Sequence, residues 1–247
     1  MGLIAVLLAV TDRLAEAALF ILIGIFFDFF DGLVARWLKV QSEFGIQLDS
    51  LADVVTSGVA PGMIMFQLFM RSLRRDWMDG LSCEVGNWIT FEEKTGIFSS
   101  WEINKVQYLP FIGLLLSLAA AYRLARFNID KRQTNYFIGL PTPAMSLFVL
   151  SLPLILLFNP GGAIESLILN KYFLIAVTGI LSILMNVELK MFSLKLKSST
   201  LRDNWAQLTF VLVAILLIFL FKIVALPLII LFYILFSFFL QLGSKKV

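Results

Sequence analysis

Residues 26–55, FFDFFDGLVARWLKVQSEFGIQLDSLADVV, place four aspartates, Asp28, Asp31, Asp49 and Asp53, among Phe, Leu, Ile and Val. An ionised carboxylate in such surroundings costs roughly 2.5–3.5 kcal/mol on membrane-insertion scales, so four total on the order of 10 kcal/mol unless something cationic sits between them. Asp49 and Asp53 are also like charges one helical turn apart, a pairing that forces one of them to take up a proton unless a counter-charge intervenes. One divalent ion or two, shared by the quartet, removes that cost. Carboxylate-held metal pairs about 3.5–4 Å apart are a recurring arrangement for phosphoryl transfer, clamping attacking and leaving oxygens together.

The rest of the composition narrows the chemistry. There is no histidine, so imidazole bases and histidine ligands are excluded, and proton transfer falls to Asp, Glu, Lys or Tyr. The single cysteine, Cys83, excludes a disulfide framework within the chain and a cysteine-cluster metal site. Oxygen ligands favour hard cations such as Mg²⁺, Mn²⁺ or Ca²⁺ ahead of softer metals. Net charge +3 and pI near 9.0 fit loop lysines and arginines beside a membrane rather than nucleic-acid binding.

The elements that must position the quartet are membrane helices. A chain of 247 residues that is 60% hydrophobic, with mean hydropathy +0.91 and 24 Phe, exceeds the apolar content of soluble domains. Long apolar runs without alternation select helices over a closed barrel. Runs near 14–33, 44–70, 106–126, 137–158, 171–187, 205–222 and 224–242 read as spans, with MGLIAVLLAV ahead of Asp12 as the remainder of an eighth. No basic start or small-residue cleavage site marks that stretch as a signal peptide. The expected fold is therefore an all-α polytopic bundle of about eight transmembrane helices, a single membrane domain over 1–247. Its 1–145 part carries the chemistry and 146–247 adds further spans. Pro227 splits the final apolar stretch into two helices, and 71–105 is the one long polar loop.

At about 100° per residue, Asp28, Asp31, Gly32, Ala35 and Arg36 share one face, and Gly45, Asp49, Ala52, Asp53 and Thr56 share another. Each stripe joins carboxylates to residues with almost no side chain, so the two helices form a hairpin that admits close approach of a ligand. Eleven of the 20 Lys and Arg fall on the side that holds 34–43, 126–135, 188–204 and the tail. The positive-inside bias makes that side cytoplasmic, so the expected location is the cytoplasmic membrane with the site facing the cytoplasm.

The pattern Asp28-x2-Asp31-Gly32-x2-Ala35-Arg36-x8-Gly45-x3-Asp49-x3-Asp53 resembles the signature of the CDP-alcohol phosphatidyltransferase family at eight fixed positions. FGIQLDSLADVV, RLARFN at 123–128 and GLPTPA at 139–144 look like the serine-accepting branch of that family. The resemblance implies that Asp28, Asp31 and Asp49 hold two divalent ions, with Asp53 as further ligand and as the base toward the incoming alcohol. It implies that Gly32, Ala35 and Gly45 leave room for the cytidine nucleotide, and that Arg36 supports the loop or the phosphates. It further implies CDP-diacylglycerol and L-serine as substrates, membrane lipid as surroundings, and a homodimer. The polar, interfacial segment with which members of this branch begin does not precede the first span here, so contacts from it are not assigned.

For the acceptor or a substrate phosphate, Arg123, Arg126 and Asn128 are the candidates, since arginines three apart share a face and a guanidinium grips a carboxylate bidentately. GLPTPAMS reads as a helix start with Thr142 as N-cap and Pro143 in the first turn, an N-terminus suited to an anion. Lys190, Lys195 and Lys197 read as a basic surface for anionic lipid. Two rival readings differ in class or substrate. One keeps the family with glycerol phosphate or an inositol phosphate as acceptor. The other is a cation transporter, which usually spreads such carboxylates over repeated halves rather than one hairpin.

Overall fold

A computed structural model describes residues 1–38, 42–76, 108–129, 137–191 and 205–244. The centre of the 34–43 connection, most of the polar loop with Cys83, and Lys195 and Lys197 lie outside the described residues. The protein is a helical membrane bundle. Its elements are α1 (Gly2–Val10), α2 (Leu14–Leu38), α3 (Glu43–Asp53), α4 (Ala60–Asp76), α5 (Leu115–Ile129), α6 (Thr142–Phe158), α7 (Ala163–Ile168), α8 (Lys171–Asn186), α9 (Trp205–Phe221) and α10 (Ala225–Ser244). The two-residue strands β1 (Phe137–Ile138) and β2 (Lys190–Met191) pair antiparallel at one edge.

The stretches Gln47–Leu73, Leu109–Asn128 and Trp205–Gln241 are each long and apolar enough to cross a membrane. The last of these folds back on itself. Lys222, at φ 50°, and a short 3₁₀ turn over Lys222–Val224 separate α9 from α10, so that Phe210 stacks on Phe232 at 5.8 Å and meets Tyr233 edge-on. The break thus falls where the expected spans 205–222 and 224–242 meet, just ahead of Pro227. The first apolar stretch is the nine-residue helix α1, roughly 14 Å long. α2 continues to Leu38 and α4 to Asp76, both beyond the limits read from hydropathy. α4 extends because Arg71 has a partner: its Nε donates to Asp12 Oδ1 at 2.9 Å and its Nη2 to the Asp12 carbonyl at 3.0 Å.

The centre is α4 with α6, flanked by α1, α2 and α5. Ile64, Met65, Leu68 and Phe69 of α4 and Met145, Val149 and Leu150 of α6 are fully enclosed. α5 and the 3₁₀ turn before it, Leu109–Leu114, press on α4 through glycines. A Cβ on Gly113 would stand 2.6 Å from the Phe66 nitrogen, and one on Gly62 2.1 Å from Ser117 Oγ. Small residues let helices approach to backbone contact where lipid supplies no hydrophobic drive between them. On the outside, large apolar side chains such as Phe219, Phe239 and Leu212 are exposed, as a lipid-facing surface requires.

Candidate active site

The helix that begins at Glu43 runs to Asp76 with one interruption, a π-helical turn over Val54–Val59 immediately after Asp53. Ser42 starts it: its Oγ accepts from the Gly45 backbone N–H at 3.0 Å, a serine N-cap. A Cβ on Gly45 would stand 3.0 Å from that oxygen, so the glycine keeps the cap open as well as the face beside Asp49. α3 is tied sideways to α5 by Asn128, whose Nδ2 donates to Ser50 Oγ at 3.1 Å and to Gln47 Oε1 at 3.4 Å.

A cavity of about 230 Å³ opens where α2, α3 and the π-turn meet the start of α1. Asp28 and Asp31 line it from α2, and Asp53, Ala52, Thr56 and Ser57 from the facing helix. Asp28 and Asp49 face each other at close range across the two helices, within the field of Asp31 and Asp53. The structure therefore brings Asp28, Asp31 and Asp53 of the sequence-derived quartet to one opening, with Asp49 beside Asp28 rather than in the lining. Thr56 is wedged at its back: Cβ atoms on Gly2 or Gly24 would collide with the Thr56 side chain at 2.5 and 2.7 Å. Gly32 is half-buried on α2, while the side chains of Ala35 and Arg36 lie outside the described residues.

The donor chemistry fits a hard divalent cation. Carboxylate oxygens come from two facing helices onto one cavity, and the ion pairs among the described residues, Arg13–Glu16, Arg71–Asp12 and Arg126–Glu188, leave all four out. Among the described residues no three acidic side chains converge into a ready ligand shell.

The three acceptor candidates part company. Arg123 turns inward, 9% exposed, and donates from Nη1 to Thr142 Oγ1 at 2.9 Å. Its Nε is buried without a partner, and its charge acts on both Asp53 and the buried Tyr233 of α10. Arg126 pairs with Glu188, and Asn128 serves α3. Thr142 is not the N-cap that the sequence suggested. α6 begins at Thr142 itself behind Pro141, with no side-chain cap, because the hydroxyl is engaged by the buried guanidinium. Sequence reading missed the π-turn and Tyr233. The signal for the first was present in Gly58, Pro61 and Gly62, whereas Tyr233 stands in an unbroken apolar run.

A sequence model of CDP-alcohol phosphatidyltransferases matches residues 1–91. A CDP-diacylglycerol–serine O-phosphatidyltransferase of Bacillus subtilis is 33% identical over 156 residues, 61% of this chain and 68% of that protein. The chain belongs to the CDP-alcohol phosphatidyltransferase family. Proteins of the same name in Saccharomyces cerevisiae and Methanocaldococcus jannaschii are 36% and 31% identical over 146 and 148 residues. Those matches cover 56% and 60% of this chain but 41% and 52% of the relatives. Membership makes the aspartate cavity the place to look for phosphatidyl transfer.

Proposed function

We propose that this chain transfers the phosphatidyl group of CDP-diacylglycerol to the hydroxyl of L-serine, releasing CMP and leaving phosphatidylserine in the membrane. The observation that carries this reading is the cavity walled by Asp28, Asp31 and Asp53, with Asp49 facing Asp28, in a bundle otherwise covered by apolar side chains. The shared name of three relatives from a bacterium, a yeast and an archaeon supports serine as the acceptor.

The serine oxygen forms a bond to the β-phosphorus as the bond from that phosphorus to the bridging oxygen breaks, and CMP departs with the electron pair. The serine proton passes to Asp53, the half-buried carboxylate of the cavity. Asp28, Asp31, Asp49 and Asp53 would hold the divalent metal, Mg²⁺ or Mn²⁺ and two ions on the family pattern, which when bound neutralises the diphosphate and the leaving group. Arg123, fixed by Thr142, offers its unpartnered Nε to the serine carboxylate. Arg126 and Asn128 already have protein partners, so they come after Arg123 as anion contacts.

The lysine and arginine distribution supports an opening toward the cytoplasm, where CMP and serine are soluble, while the acyl chains stay in lipid. A homodimer accords with the resemblance, and mass measurement in detergent tests it. The activity is tested by supplying purified protein with CDP-diacylglycerol, Mn²⁺ and serine, glycerol phosphate or inositol phosphate in turn. CMP release with serine alone is the expected result. Release only with a phosphorylated alcohol would replace serine as the acceptor.

A further inference from the structure

The π-turn over Val54–Val59 has an identifiable cause in the sequence. Pro61 has no N–H to give to the Ser57 carbonyl one turn before it, and its ring crowds that carbonyl. The ladder loosens accordingly: the Ala60 N–H reaches back five residues to the Val55 carbonyl. Inside a membrane bundle a carbonyl freed in this way needs another donor, which neighbouring Ser or Thr side chains can supply. Here two helices supply them. Ser146 Oγ of α6 donates to the Ser57 carbonyl at 2.8 Å, with the Thr142 carbonyl at 3.0 Å sharing the proton. Ser117 Oγ of α5 donates to the Gly58 carbonyl at 3.2 Å. Ser146 and Ser57 are both fully enclosed, so water does not compete.

The turn also sets an angle. A π-turn accommodates one residue more than the α-helix, so α3 is rotated against α4 by about 100° relative to an uninterrupted helix. α3 has little else to fix its rotation, since its described side chains are all exposed or half-exposed and its side-chain tie is to Asn128. If the turn relaxed to α, Asp53 would point where Ala52 points and Val54 would take the place of Asp53.

We propose that Pro61, Ser117 and Ser146 are positioning residues: together they hold the π-turn, and the π-turn aims Asp53 at the cavity and Asp49 at Asp28. This rests on the reading of the quartet as the reaction centre, and its test separates the two.

In a Cys83→Ser background, single cysteines at 52, 53 and 54 are labelled with a small water-soluble thiol reagent, with and without Ser117→Ala/Ser146→Ala. The expected result is a shift of the labelling order by one residue, the rate seen at 52 appearing at 53 and that at 53 appearing at 54. With native aspartates, the same double substitution is expected to weaken Mn²⁺ binding, read by electron paramagnetic resonance, by about tenfold or more. It should lower kcat by up to about a hundredfold with KM for serine little changed. Ser146→Thr, which keeps the hydroxyl, should restore both, and Pro61→Ala should shift the labelling order in the same sense.

An unshifted labelling order in the folded double variant, or Mn²⁺ affinity and kcat within about twofold of the parent, would overturn the proposal. If the double variant does not fold, Ser146→Ala alone is judged on the same criteria. Absence of CMP release by the unmodified protein would sink the functional reading and leave the labelling result to decide this one.

Discussion

α3 and α6 are helices of one bundle with opposite constitutions. α6 buries eleven of its 17 residues, among them Met145, Phe148 and Leu150, and every hydroxyl it carries is enclosed. α3 buries none of its described side chains, exposes Phe44 and Leu48, and is held by the Ser42 cap, the Asn128 tie and the π-turn. The helix to which the proposed chemistry falls contributes little packing, and the helix that packs holds no acidic side chain. On the proposed function, activity and stability are lodged in different places and should respond to different substitutions.

The most severe test of that division is removal of divalent ions. Exhaustive treatment with a chelator should take CMP formation below detection while the thermal unfolding midpoint falls little, because the core at α4 and α6 contains none of the quartet. Persistence of activity would detach the carboxylates from metal chemistry. Next in size, Asp53→Asn should cost about 10²- to 10⁴-fold in kcat with the midpoint retained. Parent-like turnover would remove Asp53 as the base.

The opposite signature belongs to α6. Met145→Ala, at a fully enclosed position, should cost about 2–5 kcal/mol in a detergent unfolding titration, with the folded fraction keeping its kcat. Phe219→Ala on α9, 83% exposed, should stay within about 0.5 kcal/mol. Equal costs at the two positions would erase the distinction between inside and outside. Smallest of all, Glu188→Gln breaks an exposed pair with Arg126 and should change stability by no more than about 1 kcal/mol.

How far the sequence disclosed this arrangement depends on whether each cause was local. The quartet was legible because four carboxylates in apolar surroundings are costly wherever the chain goes, and their spacing put each pair on one helix face. Most of the helices were legible from hydropathy, and their limits shifted where tertiary partners act: Asp12 holds the extension of α4 at Arg71, and residues 137–138 pair with 190–191 instead of joining α6. Arg123 and Arg126 share a helical face in projection, so both read as anion contacts. What separates them is Thr142 on one side and Glu188 on the other, both fixed by tertiary packing. The π-turn lay in between. Pro61 announces a fault in the ladder, but the hydroxyls that turn the fault into a fixed angle come from Ser117 and Ser146, which only the fold brings near. Tyr233 gave no local sign, since its phenol differs from the surrounding phenylalanines by one atom and matters only beside Arg123.

The glycine contacts between α4 and the segment around Gly113 have a mechanical corollary. With backbone lying on backbone, those two helices leave no slack for sliding and act as a fixed jaw. Any yielding that the proposed reaction needs, to admit a lipid nucleotide and release CMP, then falls to α3 and the end of α2, on the far side of the turn that Ser117 and Ser146 hold.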